Sequence, residues 1–281
     1  MAIQMPGTLD EVYRALAEEP DAHLLAGGTD LMVEVNYDGR RPPAVVGLRK
    51  VGELRTWRRE GDSHVLGAGL TWTDLMRGEL AEQYPGLAIA ARTVGSPQIR
   101  NGGTIGGNLG TASPAGDGLP PLYALDAVVL VGSASGVREQ PIDEFITGVK
   151  RTTLQPGEVI TGIRVPVVDG QQEYCKIGTR NAMVISAAGV AVVVDRRSRS
   201  VRCALGAVAP TIVRATEAEA VATAAVDWDA DRPSIDDPTV HERFGELAAD
   251  AARPIDDHRS TARYRRHAIS VMARRALLRC V

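Results

Sequence analysis

The chain has 281 residues, 44% of them hydrophobic and 24% charged, with a formal net charge of -3. That length buries a large core and accommodates two or three compact units, and the near-neutral balance points away from nucleic acid or anionic membrane as partners. No apolar run reaches membrane-spanning length and no basic region precedes an apolar segment at the N-terminus, so no membrane span and a cytoplasmic location are expected.

Thr8 stands before Leu9, Val12, Tyr13 and Leu16, a spacing that predicts a capped amphipathic helix. His23-Leu24-Leu25-Ala26 reads as a short strand running into Gly27-Gly28, and Thr29 or Asp30 then caps a turn or helix through Leu31, Met32 and Val33. A strand, a glycine turn and a helix start form an anion-binding arrangement, but the G-x-G-x-x-G order of a dinucleotide fingerprint is absent. Ala44-Val45-Val46-Gly47-Leu48 is a second strand that closes this small βα unit. Residues 64–70 read as another strand, Thr71-Trp72-Thr73-Asp74 as a helix start, and 87–91 as a helical segment.

Residues 94–117 read as one long Gly/Ser/Thr/Asn loop, ordered because apolar segments flank it, and it carries a second glycine-rich stretch, Thr104-Ile105-Gly106-Gly107-Asn108. Ordered loops of this kind on a rigid scaffold commonly make binding sites. Pro120-Pro121 ends the loop before a short helix at 122–125, and 127–131 is a buried strand. A short helix around Phe145, a strand over 159–165 and a boundary at 166–172 follow. The last part is expected to run as strand 173–176, helix 181–188, strand 189–194, charged turn 196–199, strand 201–206, helix 218–225, loop 228–238 and helix 261–279. Most arginines of that final helix are read as solvated surface, with a face toward a partner as the alternative.

Each glycine-rich stretch offers bare amides beside hydroxyl and carboxamide side chains, which is what a diphosphate needs; two ordinary turns are the alternative. One diphosphate bridging both would take N–H bonds from each, with hydroxyls from Thr29, Thr104 and Ser113 and an amide from Asn108. Neither stretch has a P-loop lysine, so nucleotide hydrolysis is not indicated. Asp117 is repelled by phosphate and either accepts from a sugar or ribityl hydroxyl or caps a turn before Pro120. Lys176, inside a strand, either stabilises negative charge on a reduced cofactor or pairs with a carboxylate, while Tyr174 and Trp72 read as core or interface aromatics. Cys175, Cys203, Cys280 and the five histidines are too scattered for a metal or cluster site. No hydrolytic triad has convincing spacing, and no catalytic residue is assigned.

The segments LLAGGTDL (24–31), TIGGNLGTASPAGD (104–117), GEVITGIRVP (157–166), YCKIGTRNAMVIS (174–186), ALGAVAPTIVRATEAE (204–219) and PIDDHRSTARYRRHAISVMARRAL (254–277) span nearly the whole chain. In this order they resemble the flavin-binding medium subunit of the molybdenum hydroxylases, the group that includes xanthine dehydrogenase and carbon monoxide dehydrogenase. The resemblance implies an α+β fold of the vanillyl-alcohol-oxidase (PCMH) type that binds FAD. Two α/β subdomains are implied over 1–57 and 58–165, with a smaller C-terminal α+β domain over 173–281. It also implies that Leu24, Leu25, Ala26, Gly27, Gly28, Thr29, Asp30 and Leu31, with Thr104, Ile105, Gly106, Gly107 and Asn108, hold the FAD diphosphate. Asp117, Val94, Ile160 and Lys176 fall where relatives have further cofactor contacts.

The implied role is electron relay. A large partner carrying the molybdenum cofactor oxidises the substrate, a small partner with two 2Fe–2S clusters conducts electrons, and the flavin passes them to NAD+ or another acceptor. A stand-alone FAD-dependent oxidoreductase acting directly on a small metabolite is the alternative, with a non-catalytic scaffold or a hydrolase behind it. The cysteine-rich insertion that some relatives carry is not expected. Val35-Asn36-Tyr37-Asp38-Gly39-Arg40 departs from the basic or apolar helix that many relatives have there.

Overall fold

The computed structural model describes residues 2–37, 39 and 41–281; Asp38 and Arg40 of the departing segment lie outside the described residues. The first unit comprises β1 (Ala2–Gln4), α1 (Leu9–Glu18), β2 (His23–Leu25), α2 (Leu31–Tyr37) and β3 (Ala44–Gly47). Its strands form a parallel sheet in the order β1-β3-β2. Thr8 caps α1 as expected, its Oγ1 accepting from the Glu11 amide at 3.3 Å, and Val12, Ala15 and Leu16 face the core. β1 was not expected: three residues, with Ile3 at 60% exposure, carry no alternation to read.

The second unit is an antiparallel sheet of β4 (Trp57–Glu60), β5 (Ser63–Gly67), β6 (Val128–Ser133), β7 (Gly136–Pro141) and β10 (Val159–Pro166), in the order β4-β5-β10-β6-β7. Between β5 and β6 lie α3 (Gly78–Gln83), α4 (Pro85–Thr93), α5 (Pro97–Gly102), α6 (Ile105–Thr111) and α7 (Leu119–Ala124). Between β7 and β10 lie α8 (Ile142–Phe145) and the two-stranded β8 (Ile146–Gly148) and β9 (Arg151–Thr152).

The expected single loop over 94–117 is corrected by α5 and α6. Each has its own side-chain cap: Ser96 Oγ accepts from the Ile99 amide at 3.3 Å and Thr104 Oγ1 from the Gly107 amide at 3.0 Å. Glycine is a poor helix former, and here tertiary packing overrides that weak local preference. Pro120 and Pro121 do not precede a helix but sit inside its first turn, where a missing N–H costs nothing. The helix start expected at residues 71–74 is a single 3₁₀ turn, Asp74–Met76, with the Asp74 carboxylate accepting from the Thr71 amide and hydroxyl at 2.9 and 2.7 Å.

The third unit is an antiparallel sheet of β11 (Gly170–Ile177), β12 (Ala188–Asp195), β13 (Ser200–Gly206) and β14 (Val213–Arg214), with α9 (Thr216–Ala225), α10 (Pro238–Ala251) and α11 (Ala262–Cys280). β12 is buried along its whole length. Val190, Val192 and Val194 enter the core formed with the three helices, and Ala191 and Val193 enter the core of the first two units. Burial on both faces is why its sequence is an unbroken apolar run.

The helix expected over 181–188 is absent. The segment is irregular, Met183 has φ +50°, and the chain doubles back so tightly that a Cβ on Gly178 would lie 2.5 Å from Val184 Cγ1. Helix α10 was not anticipated, although Asp237 caps it and Phe244, Leu247 and Ala248 form its buried stripe. Among the described residues no helix is long and apolar enough to cross a membrane.

Candidate functional site

β2 and β3 run parallel, and the chain leaving their carboxyl ends forms one wall of a cleft of about 740 Å³. Ligands of α/β sheets commonly sit outside strand carboxyl ends. The wall following β2 is the first glycine-rich stretch. Gly28 has φ +73°, in the left-handed region that favours glycine. Gly27 is constrained differently: a Cβ there would lie 1.8 Å from the Gly102 carbonyl oxygen. Among the described residues, the amides of 26–30 donate to no protein acceptor, and all five residues line the cleft.

The facing wall is the start of α6. Its amides are already committed: Ile105 N–H donates to Leu70 O at 3.0 Å and Gly106 N–H to Ala68 O at 2.9 Å. Gly107 N–H donates to Thr104 Oγ1 and Asn108 N–H to Thr104 O, both at 3.0 Å. The two stretches therefore differ in kind. The first offers backbone donors; the second offers the Thr104 hydroxyl and the Asn108 carboxamide, whose Oδ1 is buried with no hydrogen-bond partner. Gly106 serves packing, since a Cβ there would lie 2.5 Å from Ala68 Cβ.

Of the residues singled out in the sequence, all but two line this cleft. Ile105 is fully buried in the core beneath α6. Lys176 is withdrawn behind Asp117, donating to its Oδ2 at 2.6 Å and to Thr93 O at 3.2 Å. Asp117 Oδ1 also accepts from Tyr174 Oη at 2.9 Å and Ser186 Oγ at 2.6 Å. Burial first, and then the neighbouring Asp117 carboxylate, push the Tyr174 phenol well above its ordinary range, so it stays a donor. Of the two readings of Lys176, pairing with a carboxylate is the one realised.

Several wall residues escaped sequence reasoning. Asn101, Gly102 and Gly103 approach the first stretch, and the double glycine directly before Thr104 was the available signal. Arg49 and Arg55 place cations on the rim, and Arg49 follows immediately after β3 and Leu48. Lys150 reaches across to Glu34 at 2.8 Å, while Thr111 Oγ1 donates to Asp30 at 3.3 Å, tying α6 to the first glycine stretch. Beyond Asp117 the cleft is apolar, walled by Val94, Leu154, Val159, Ile160 and residues 183–185.

Residues 1–168 match the family described as the FAD binding domain in molybdopterin dehydrogenase, and residues 173–280 match the carbon monoxide dehydrogenase flavoprotein C-terminal domain. The chain belongs to this family. As an FAD subunit it is similar to the xanthine dehydrogenase FAD-binding subunit of Escherichia coli O157:H7, 29% identical over 283 residues that cover 98% of this chain and 94% of the relative. The carbon monoxide dehydrogenase medium chain of Hydrogenophaga pseudoflava is 31% identical over 266 residues, 92% of this chain and 88% of the relative. The solved carbon monoxide dehydrogenase from the same organism, lacking the Mo-pyranopterin moiety, superposes with a TM-score of 0.88 at 30% identity, covering 100% and 98% of the two chains.

The architecture is the PCMH-type FAD-binding fold with a C-terminal α+β domain, and FAD is the cofactor. The subunit is an electron-transferring part of a molybdenum dehydrogenase. Its own residues fit that cofactor: open amides and rim cations suit a diphosphate, and the apolar end suits an aromatic ring system.

Proposed function

We propose that the subunit binds FAD along the whole cleft, with the diphosphate on the amides of residues 26–30 and against Thr104 and Asn108. Leu24, Leu25, Leu31, Val94, Ser113, Asp117 and Ile160 line the rest, with Lys176 acting through Asp117 and Ile105 through the core beneath α6. The walls belong to units over 1–57 and 58–165, and the domain over 173–281 closes one end. The observation that carries this reading is the run of residues 26–30 lining the cleft with amides that donate to no protein acceptor.

Bound FAD supplies one- and two-electron redox chemistry. The chain's residues hold and orient it: amides neutralise the diphosphate, the Asp117 carboxylate fixes the cleft's middle, and the apolar wall excludes water. In the cell we place the subunit in a cytoplasmic complex with a large molybdenum-cofactor subunit and a small subunit carrying 2Fe–2S clusters, delivering electrons to NAD+ or another acceptor. Purification from the native cell tests this. Co-purification of flavin, molybdenum and iron–sulfur with the chain supports the relay. A lone yellow protein that oxidises a small metabolite at a competent rate refutes the assembly, and a folded chain that binds no FAD refutes the site.

A further inference from the structure

The ten residues between β11 and β12 bring two large apolar side chains, Met183 and Ile185, to the apolar end of the cleft, where they remain 56% and 55% exposed. Nothing regular holds this segment. Its base is pinned by Ala187 N–H donating to Ile177 O at 2.9 Å, and internally Arg180 Nε donates to the carbonyls of Ala182 and Met183 at 3.1 and 3.2 Å. Those bonds make the segment a self-contained turn, with Met183 in the left-handed region. They do not place it against the cleft. That placement comes from Ser186, whose hydroxyl donates to Asp117 Oδ1 at 2.6 Å across the junction between the third unit and the second.

Asp117 is well suited to anchor the segment. Its side chain is 9% exposed, forms an ion pair with Lys176 and accepts charge-assisted hydrogen bonds from the Tyr174 and Ser186 hydroxyls. The first two donors are on β11, a rigid strand of an antiparallel sheet, so the carboxylate is immobilised independently of the irregular segment. Ser186 is the donor that adds the segment to that fixed point. Ser186 itself is 3% exposed, which keeps water from competing for the bond.

We propose that Ser186 is a positioning residue that latches the 183–185 segment over the apolar end of the cleft, making Met183 and Ile185 a cover for the flavin ring. The proposal rests on the FAD site described above. The latch slows escape of FAD and keeps water from the ring, and it acts through Asp117 without touching the cofactor. Loss of the latch is expected to speed FAD release about tenfold, equivalent to about 1.4 kcal/mol.

The test uses the assembled complex carrying Ser186→Ala or Ser186→Thr, read by the rate of FAD release on dilution and by the shoulder on the flavin absorption band, which fades when the ring is hydrated. Ser186→Ala is expected to release FAD about tenfold faster and to blunt the shoulder, with the circular dichroism of the FAD-free chain unchanged and its melting only modestly lowered by the lost bond. Ser186→Thr, which keeps the hydroxyl, is expected to restore both. Ile185→Ala leaves the latch but shortens the cover, and is expected to blunt the shoulder alone. A folded Ser186→Ala complex with native release rate and spectrum overturns the latch while leaving the FAD site intact. Absence of stoichiometric FAD in the unmodified complex overturns the site itself.

Discussion

Gly27 and Gly102 meet backbone to backbone: a Cβ on Gly27 would lie 1.8 Å from the Gly102 carbonyl oxygen and 2.9 Å from Gly103 Cα. Gly27 is therefore required by the contact between the first two units, whatever the cleft holds. Gly106 is held in the same way by Ala68. Gly107 is the informative contrast, since a Cβ there meets only Thr104 Oγ1 at 3.0 Å and Ala26 Cβ at 4.0 Å, and it lines the cleft. Gly27→Ala is expected to lower both the melting temperature of the FAD-free chain and FAD affinity. Gly107→Ala gains helix propensity of up to about 1 kcal/mol, which offsets the tight contact with the cap, and should weaken FAD binding with little change in melting. Thermal unfolding without FAD and a flavin fluorescence titration separate the two effects. Equal losses of melting temperature in both variants would defeat the distinction.

The Asp117–Lys176 pair, 2.6 Å apart and 9% and 8% exposed, joins the second unit to the third. Removing one partner of a buried ion pair leaves a charge without compensation, which costs about 3–5 kcal/mol, far more than an exposed pair is worth. Lys176→Met is expected to destabilise the chain by about that amount in chemical denaturation. Adding Asp117→Asn to Lys176→Met should recover a substantial part of the loss. Additive losses in the double variant would show that the two side chains do not act on each other.

Most of the cleft was legible in the sequence because backbone chemistry is local. A glycine pair after a short strand announces tight approach, and Thr8 and Phe145 announced their helices with equal directness. What was not legible depends on partners distant in the chain. Residues 181–188 have helical composition, yet Gly178 folds against Val184 and Ser186 is claimed by Asp117, 69 positions earlier. The amides of α6 looked open because the sequence does not reveal that Ala68 and Leu70 accept from two of them. The two halves of the diphosphate cradle thus read alike in sequence and differ in structure.

His64 gives the molecule a pH dependence whose sign follows from its bonds. Tyr84 Oη donates to Val165 O at 2.9 Å, so the 2.9 Å contact between that hydroxyl and His64 Nδ1 requires the proton on Nδ1. Nε2 is then the bare nitrogen, and it is buried with no hydrogen-bond partner. Burial holds the His64 pKa below the ordinary 6.5, because a proton on Nε2 has nowhere to donate. The unfolded chain therefore binds more protons as pH falls below about 6.5, and stability present above that value is lost on acidification. His241, also lowered chiefly by burial, acts in the same sense. Melting temperature is expected to fall between pH 7 and 5, and His64→Gln should flatten part of that slope. An unchanged slope in a folded His64→Gln variant would assign the dependence elsewhere.

Arg265 is the exception among the arginines of α11, which otherwise read as a solvated face. It is 4% exposed, with Nη1 donating to Ala207 O at 2.6 Å and Nη2 to Asp257 Oδ1 at 2.5 Å. Ala207, with φ +61°, turns the chain just after β13, and Arg265 satisfies its carbonyl there. Burial alone would raise the Asp257 carboxyl. The Arg265 guanidinium and the amides of Arg259 and Ser260 outweigh it and hold the group down at about 2. Lowered below the ordinary 3.8, this carboxylate contributes stability that is complete above that value and is lost as pH falls toward 2. Arg265→Met leaves the Ala207 carbonyl without its donor and takes the Arg265 cation from Asp257, which keeps the Arg259 and Ser260 amides, and about 1.5–3 kcal/mol of destabilisation is expected. Arg265→Lys should recover little, since an ammonium cannot reach both acceptors with the fixed fork of a guanidinium. Urea titrations at pH 7 and pH 3 check both statements: the gap between native and Arg265→Met should narrow at the lower pH. A constant gap would mean that Arg265 acts through packing alone.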